Sequence, residues 1–361
     1  MPLSRLQLWQ LLEEVEPVVP KLLNDAYTHE GYWAWKAGGE APHGQPWFTS
    51  FHASSFPGED PLVCGRLAVD GLLDPPSSGM IKPFLRAWFD LGINLEHDWV
   101  GRFASYGTLL SANIPEGDRY QTTFEDEEHW LSGSCDAVVL PRGWHKGHVV
   151  EIKTTSHEKV LAMLARTPSF PRDHGKYIRQ LKTYIGLAHD LPYTPTVNLC
   201  DESGAIVPLA QNCPHHGRQC AFTTVTLLPP DDGTLIYSSR EEPLTVASFR
   251  VAYDREHMRV GRERLAQWRD YFLEGKIPPH PLEQQRAKWT AEPCKYCDMK
   301  SFCKLDYQQG VENLEESNLI EFARGIRPDY DIAAKRAAVL FRWLPDRLET
   351  VEQEPQEEMM A

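Results

Sequence analysis

Hydrophobic and polar positions along the chain follow helical spacing in some segments and strand alternation in others. Four segments have the apolar spacing of helices, and these are residues 4–28, 81–103, 173–189 and 252–274. Between the second and third, TFEDEEHWLSGSCDAVVLPRGWHKGHVVEIKTTS contains two β-rich runs around a Pro-Arg-Gly turn, which predicts a hairpin. Further β-rich runs, AFTTVTLLP and TLIYSSREEPLTVASFRVA, precede the last helix. This order predicts an α/β fold with a central mixed sheet flanked by helices.

Composition narrows the class of protein. Of 361 residues, 42% are hydrophobic and 24% are charged, and no apolar run approaches the roughly 20 residues that span a bilayer. The first residues, MPLSRLQLWQLLEEVEP, are acidic where a signal peptide would have its apolar stretch. We therefore expect a cytoplasmic protein with no membrane partner, in which cysteines are reduced thiols or metal ligands.

Charge is distributed unevenly along the chain. The formal net charge of -14 argues against a nonspecific nucleic-acid coat. Residues 141–186, however, contain nine Lys or Arg and three Asp or Glu, a net charge of +6. An anionic polymer would be attracted to this segment, and the side chains that we expect to contact its phosphates are Arg172, Lys176, Arg179 and Lys182.

The stretch VVEIKTTS places two charged side chains on one face of a strand, because Glu151 and Lys153 are two residues apart. One interpretation is an exposed edge strand with an ion pair. The other depends on Asp136, which lies 15 residues before Glu151 on the other strand of the hairpin. Two converging carboxylates repel each other unless a cation lies between them, and oxygen ligands favour Mg²⁺ or Mn²⁺. Lys153 would then orient or deprotonate an attacking water.

Three motifs in this order resemble the RecB-like branch of the PD-(D/E)xK nucleases, over at least residues 90–190. They are Gly-x-x-Asp from Gly133 to Asp136, Glu-x-Lys-Thr from Glu151 to Thr154, and Gln-x-x-x-Tyr from Gln180 to Tyr184. The resemblance implies a restriction-endonuclease-like fold in which Asp136, Glu151 and the Ile152 carbonyl hold the metal. It also implies that Lys153 is catalytic and that Gln180 and Tyr184 contribute to the site and to DNA contact.

The same family has an upstream histidine as a metal ligand, four residues after a glycine. Here His97 is five residues after Gly92, and the usual spacing would reach Glu96. We assign His97 as the ligand, and the alternative is a histidine on a helix surface.

Three cysteines near the end of the chain, Cys294, Cys297 and Cys303, form a compact thiolate group that favours zinc or an iron-sulfur cluster. The spacing resembles that of AddB-type nucleases and CRISPR-associated RecB-like exonucleases. In those proteins a distant upstream cysteine, here Cys64, completes a [4Fe-4S] cluster that fastens the two ends of the domain. The alternatives are a zinc knuckle, or a buried Cys64 without metal.

A second group, NLC...NCPHHGRQC, has three thiols and two imidazoles within 21 residues. A zinc site and free thiols in a loop are both compatible with its irregular spacing. The five side chains are Cys200, Cys213, His215, His216 and Cys220.

These features divide the chain into five expected segments. They are an N-terminal helical region with the first cluster cysteine (1–90), the nuclease core (91–190), a Cys/His-rich insertion (191–221), the rest of the nuclease domain with the cysteine triad (222–310), and a C-terminal helix with an acidic tail (311–361).

The expected function is divalent-metal-dependent hydrolysis of DNA, by an exonuclease that acts on single strands or free ends. Its setting would be the cytoplasm of a bacterial or phage-infected cell, with partner proteins from recombination, DNA repair or CRISPR adaptation. The alternative is a DNA-binding accessory subunit of such a complex that cleaves little by itself.

Overall fold

The computed structural model describes most of the chain between residues 50 and 344. The described residues are 50–61, 63–73, 83–112, 123–165, 175–207, 212–280, 294, 297, 299–326 and 328–344. The helix expected over residues 4–28 and the acidic C-terminal tail lie outside them.

Strands and helices alternate along the described residues. The strands are β1 (Phe51–His52), β2 (Leu109–Ala112), β3 (Thr123–Asp126), β4 (Leu131–Ser134), β5 (Ala137–Val139), β6 (His148–Thr155), β7 (Thr196–Cys200), β8 (Phe222–Thr226), β9 (Asp232–Ser239) and β10 (Val246–Ala252). The α-helices are α1 (Gly65–Leu72), α2 (Pro83–Ser105), α3 (His157–Leu164), α4 (Gly175–Asp190), α5 (Arg255–Leu273), α6 (Lys300–Gln309), α7 (Asn318–Ile326) and α8 (Ile332–Trp343). The expected helices at 81–103, 173–189 and 252–274 are confirmed as α2, α4 and α5.

A mixed sheet lies at the centre, with five strands in the order β10-β9-β6-β5-β2. β5 and β6 are antiparallel, so the expected hairpin is confirmed, and β6 and β9 are parallel. The α/β prediction is therefore correct. The edge-strand interpretation of VVEIKTTS is wrong, because β6 has a hydrogen-bonded neighbour on each side.

Each face of β6 packs against a different helix. On one face Val149 belongs to the main core with Leu181 and Ile185 of α4. On the other face Val150 and Ile152 form a second apolar cluster with Val100 of α2. Burial of each of these aliphatic side chains contributes about 1.5 to 3 kcal/mol, so the two layers hold the central strand firmly.

Close approach of α4 to the sheet requires Gly233 at the start of β9. A Cβ at this position would lie 2.6 Å from the carbonyl oxygen of Val149 and about as near to the Leu181 and Ile185 side chains, at 3.0 and 3.1 Å. A side chain here would push α4 away from β6. The glycine therefore sets the distance between the helix and the strand that carries Glu151.

The remaining strands form two smaller sheets. β1, β4 and β3 pair in that order, so the segment around His52 lies next to the strand that leads into Asp136. β7 and β8 form a separate antiparallel pair. The chain between these two strands belongs to the Cys/His-rich segment expected at residues 191–221.

Early and late segments of the described chain are joined by buried polar contacts. Arg66 of α1 forms ion pairs with Asp70 and with Asp306 of α6, and it donates a hydrogen bond to Ser317 at 2.9 Å. Asp306 also accepts a hydrogen bond from the backbone N–H of Asn318 at 2.8 Å. The network fixes α1 against the start of α7, and its charged side chains and Ser317 are buried.

Candidate active site

The centre of the sheet carries a charged pair that is almost withdrawn from solvent. On β6 the side chain of Glu151 is 1% exposed and that of Lys153 is 25% exposed, and the ammonium contacts Glu151 Oε1. Among the described residues, neither oxygen of Glu151 receives a hydrogen bond of good geometry. A buried carboxylate with so few hydrogen-bond donors beside one ammonium is costly, so this position favours a further cation.

Asp136 lies beside Glu151 because of the register of the β5–β6 hairpin. Ala137 is opposite Val150, so Asp136, one residue before β5, is next to Glu151. Its Oδ2 accepts a hydrogen bond of 2.5 Å from the backbone N–H of Ile152, where the β5 ladder has ended. The structure thus brings together Asp136, Glu151, Lys153 and the backbone of Ile152.

Helix α2 brings a further acidic side chain, Glu96, to this charged group. Glu96 of α2 interacts electrostatically with Asp136, Glu151 and Lys153. His97 is the next residue on a helix that turns about 100° per residue, so its side chain points elsewhere. The assignment of His97 as a metal ligand stays a prediction, and Glu96, four residues after Gly92, is the acidic neighbour in the structure.

Three carboxylates and one ammonium leave the group with two excess negative charges when all are ionised. Burial, together with the charges of Asp136 and Glu151, raises the pKa of Glu96 to about 8. Burial and the charge of Asp136 likewise raise the pKa of Glu151 to about 8, and burial raises that of Asp136. A divalent cation would cancel the excess charge, and the donors are all hard oxygens, so Mg²⁺ or Mn²⁺ fits these residues.

The same neighbours favour the charged form of Lys153, whereas they favour the neutral form of the carboxyl groups. Burial alone would lower the pKa of its ammonium, but the charges of Glu151 and Asp136 outweigh burial and raise it. The group is therefore charged at neutral pH. In this arrangement Lys153 supplies a positive charge rather than a free amine.

Helix α4 places Gln180 and Tyr184 one turn apart, as expected from their spacing. The Gln180 Nε2 donates a hydrogen bond of 2.9 Å to the Tyr184 hydroxyl. The Tyr184 ring is buried against Gly133, where a Cβ would lie 2.8 Å from Cε1 of the tyrosine. The ring takes the space of the missing side chain, and the Tyr184 hydroxyl interacts electrostatically with Glu151 and Asp136.

Two neighbours of the ammonium were missed from the sequence. The Lys153 Nζ lies 5.5 Å from the centre of the Tyr177 ring, which shares a face of α4 with Gln180 and Tyr184. His52 also interacts with Lys153, and burial followed by this positive charge lowers the pKa of the imidazole. Helical spacing from Gln180 could have identified Tyr177, whereas nothing in the sequence relates His52 to Lys153.

The basic side chains expected to contact phosphates differ in their neighbours and in their exposure to solvent. Arg179 forms an ion pair with Asp60, and Lys182 forms one with Asp254 at 2.6 Å. Lys176 is exposed, with its ammonium 4.6 Å from the Tyr177 ring centre. Arg172 lies outside the described residues. Two of these cations thus have acidic partners within the protein, and Lys176 faces solvent beside the charged pair.

Four cysteines from distant parts of the sequence line one small cavity. Cys64 caps the N-terminus of α1, and it shares the cavity with Cys294, Cys297 and Cys303. His280 belongs to the same lining, with its Nε2 2.9 Å from the Cys294 sulfur, and it was missed from the sequence. Burial raises the pKa of the Cys64 thiol to about 11, so a cation would be needed to keep thiolates here.

The second cysteine group contains four atoms that can act as ligands for one ion. Atoms of Cys200, Cys213, His216 and Cys220 all lie within 4.8 Å of one another. His215 is not part of this set, because its Nδ1 lies 3.5 Å from the Arg142 guanidinium instead. The expected five-residue group is therefore reduced to four.

Comparison with solved structures found weak similarity to a known enzyme. No protein-family model and no curated protein matches this sequence. Among solved structures, the chain is similar to an alkaline exonuclease (LHK-Exo) from Laribacter hongkongensis, with 11% identity and a TM-score of 0.33. The similarity covers 62% of this chain and 88% of that one. None of the helices in the described residues has the length and apolar character to cross a membrane.

Proposed function

We propose that the protein is a divalent-metal-dependent deoxyribonuclease of the PD-(D/E)xK type. The observation that carries this proposal is the convergence of Asp136, Glu151 and Lys153 on the central strand, with both oxygens of Glu151 lacking donors of good geometry among the described residues. A structural ion pair would not need a third and a fourth charged group. Glu96 beside them would add an oxygen ligand, and its charge favours a bound cation.

The acidic side chains have the role of metal ligands in this proposal. Asp136, Glu151 and Glu96 would hold Mg²⁺ or Mn²⁺ together with the carbonyl of Ile152. The bound ion would lower the pKa of a water molecule and offset charge on the scissile phosphate. The hydrogen bond from the Ile152 N–H keeps one oxygen of Asp136 engaged, so its other oxygen is free to coordinate.

Lys153 would act through its charge. Since the neighbouring carboxylates raise its pKa, it is a poor general base, and its ammonium is suited to stabilise negative charge on the phosphoryl group. Tyr177 limits the directions in which the ammonium can move. Gln180 and Tyr184 would position the substrate strand from the same side.

DNA with a free end, in particular a single strand, is the substrate that we propose. The motif resemblance to RecB-like exonucleases supports this choice, and Lys176 is an exposed cation beside the charged pair that could contact a backbone phosphate. Partner proteins from recombination, repair or CRISPR adaptation, and a cytoplasmic setting in a bacterium or phage-infected host, belong to the same proposal.

The decisive experiment is digestion of end-labelled single-stranded and double-stranded DNA with Mn²⁺ or Mg²⁺. We expect Lys153→Ala and Glu151→Gln to lower the cleavage rate by about 100-fold or more. The matched control is Lys159→Ala, which removes an exposed lysine six residues away on α3 and should cleave like the wild type. Equal cleavage by wild type and Lys153→Ala would disprove the assignment of this site.

The alternative of a DNA-binding accessory subunit gives a different result in the same experiment. Such a subunit would bind DNA without a divalent ion, and the Glu151→Gln variant would bind as well as the wild type. Neither protein would then release labelled nucleotides. This outcome would retain the DNA partner and reject the enzyme.

A [4Fe-4S] cluster at Cys64, Cys294, Cys297 and Cys303 is the cofactor that we propose for the cavity between α1 and α6. The four donors are soft sulfurs. In contrast to the ligand atoms of Cys200, Cys213, His216 and Cys220, these sulfurs do not all lie within 4.8 Å of one another. A single tetrahedral zinc ion holds sulfurs only about 3.8 Å apart, given bonds of about 2.3 Å, so the wider set favours a cluster.

Anaerobic purification tests the cofactor independently of nuclease activity. A brown protein with four irons that are lost in Cys303→Ser would support the cluster. Stoichiometric zinc in a colourless protein, also lost in Cys303→Ser, would replace it with a zinc knuckle. Cys135→Ser is a control, because this buried cysteine lies in the main core.

A further inference from the structure

The loop after β7 and the segment before β8 bring four ligand groups to one point, away from the candidate active site. Cys200 is the last residue of β7, and Cys220 lies two residues before β8. Cys213 and His216 come from the loop between the strands, and one ligand atom from each of the four lies within 4.8 Å of the others. We propose that this group binds one structural Zn²⁺ ion.

Local backbone geometry prepares the two loop ligands. The N–H groups of His216 and Gly217 both donate to the carbonyl oxygen of Cys213, at 3.2 and 2.8 Å, and Gly217 has a φ of +64°. This tight turn brings the side chains of Cys213 and His216 to the same side. The N–H of Cys213 donates to the carbonyl of Arg218 at 2.9 Å, which closes the turn.

Cys200 has an equally defined setting. The N–H of Gly204 donates to the carbonyl oxygen of Cys200 at 2.8 Å, so the chain turns immediately after the ligand. Cys200 is buried, and its own N–H donates to the carbonyl oxygen of Ala205 at 2.8 Å, so the backbone on both sides of the turn is held in place.

The histidine is oriented as a metal ligand would be. The Nδ1 of His216 lies 3.7 Å from the Cys200 sulfur, and its Nε2 lies 3.2 Å from Oε2 of Glu202. A carboxylate on the far nitrogen fixes the ring and increases the basicity of the nitrogen that binds metal. We therefore assign Nδ1 as the zinc ligand and Glu202 as its positioning residue.

Among the residues that the structure describes, this unit has few apolar contacts. Its buried cluster consists of Cys200, Ala205, Val207 and Cys213, with Cys220 partly buried, so two of these side chains are aliphatic. Two small aliphatic side chains contribute about a few kcal/mol, against an entropy cost of about 1 to 2 kcal/mol for each ordered residue. A zinc ion would supply the missing stabilisation.

Zinc binding would fix this unit against the edge of the central sheet. The N–H of Ile206 donates to the carbonyl of Gly107 at 2.7 Å, in the connection between α2 and β2. A Cβ at Gly107 would lie 2.8 Å from the Cβ of Ala205. The three thiolates and one imidazole match the ligands of a structural zinc site and differ from the all-oxygen set of the candidate active site.

Metal analysis of purified variants tests this proposal. We expect one equivalent of zinc in the wild type, absent from His216→Ala and Cys213→Ser, and retained in His216→Cys, which keeps four ligands. His215→Ala is the matched control, since the neighbouring imidazole lies outside the group and the variant should retain its zinc. Equal zinc content in wild type and His216→Ala would overturn the proposal. A wild-type protein that binds neither zinc nor added Co²⁺ at this site would overturn it as well.

A second measurement uses the wild-type protein and does not depend on the folding of variants. Arg218 is an exposed trypsin site between two ligands. Removal of zinc by a chelator should accelerate cleavage after Arg218 at least about tenfold, and added Zn²⁺ should restore resistance. The reason is that opening of the loop costs more free energy when zinc is bound. Cleavage that is unaffected by zinc would contradict a structural role. Neither measurement requires nuclease activity, so both remain valid if the proposed function fails.

Discussion

Arg66 and Asp306, 240 residues apart in the sequence, form an ion pair whose side chains are almost fully buried. Asp306 also accepts hydrogen bonds from Ser317 and Asn318, so its charge is well compensated. This pair couples the early helix that carries Cys64 to the late helix that carries Cys303. Its integrity therefore affects both the stability of the fold and the geometry of the four-cysteine cavity.

Removal of one partner should be strongly destabilising. We expect Asp306→Ala to lower the free energy of unfolding by about 3 to 5 kcal/mol, because buried Arg66 would lose one of its two acidic partners and Ser317 and Asn318 would lose their acceptor. Chemical denaturation measures this loss. The control is Asp98→Ala, which breaks the exposed pair with Arg102 on α2 and should cost less than about 1 kcal/mol. Similar losses in the two variants would show that the buried pair contributes no more to the free energy of unfolding than the exposed pair.

The contribution of Glu151 to the stability of the metal-free protein should fall as the pH rises. Burial and the neighbouring Asp136 raise the pKa of Glu151 to about 8, whereas an unfolded glutamate titrates near 4.3. The folded state therefore binds more protons between these values, and a stabilisation of roughly 3 to 5 kcal/mol present below pH 4 is lost by pH 8. Glu151→Gln should remove the Glu151 part of this slope and leave the part due to Glu96, as followed by denaturation in EDTA.

Mg²⁺ should reverse that loss only when the acidic set is intact. At 100 times its dissociation constant, an ion bound to the folded state adds about 2.7 kcal/mol. We expect this gain for the wild type at pH 8 and a much smaller one for Glu151→Gln. A thermal melt with and without Mg²⁺ measures it, and equal shifts in the two proteins would place the ion elsewhere.

Acid should destabilise the protein through His257. Burial, followed by the charge of Lys182, lowers the pKa of this imidazole to about 4. The unfolded chain takes up the proton near pH 6.5, so stability is complete above that value and decreases by roughly 3 kcal/mol as the pH falls towards 4. Unfolding curves of His257→Gln should decline less over this range. Parallel curves for the two proteins would rule out this contribution.

Two glycines within helices should respond in opposite directions to alanine. A Cβ at Gly261 of α5 would lie 2.0 Å from Cζ of the buried Phe56, whereas none of the described atoms is within 4 Å of one at Gly101 of α2. Gly261→Ala should therefore destabilise by about 1 to 3 kcal/mol through overpacking. Gly101→Ala should stabilise by about 1 kcal/mol through helix propensity. Thermal unfolding checks both, and a stable Gly261→Ala protein would mean that the contact relaxes easily.

Local features of the site could be predicted because they depend on short-range geometry. The hairpin turn fixes the register that places Asp136 next to Glu151, and the helix period places Gln180 one turn from Tyr184. Both relations follow from regular backbone spacing. The α/β class followed in the same way from the order of helical and strand patterns.

Contacts between residues that are far apart in the sequence could not be predicted from the helix and strand periods. The rotation of α2 about its axis decides between Glu96 and His97, and it is set by packing of Val100 and Trp99 against the sheet. His52 approaches Lys153 through the pairing of β1 with β4, which has no local signal. The central position of β6 depends on its pairing with β9, whose residues follow much later in the chain.

That parallel pairing has a consequence for biosynthesis. His148 and Asp232, at the start of the two strands, are 84 residues apart and are joined by a hydrogen bond of 2.6 Å. During translation, one side of the β6 backbone therefore stays unpaired until β9 has left the ribosome. Long-range closures of this kind are slow steps in folding. A nascent chain that ends before Asp232 consequently exposes Glu151 to water, and the acidic set assembles only after the second strand has docked.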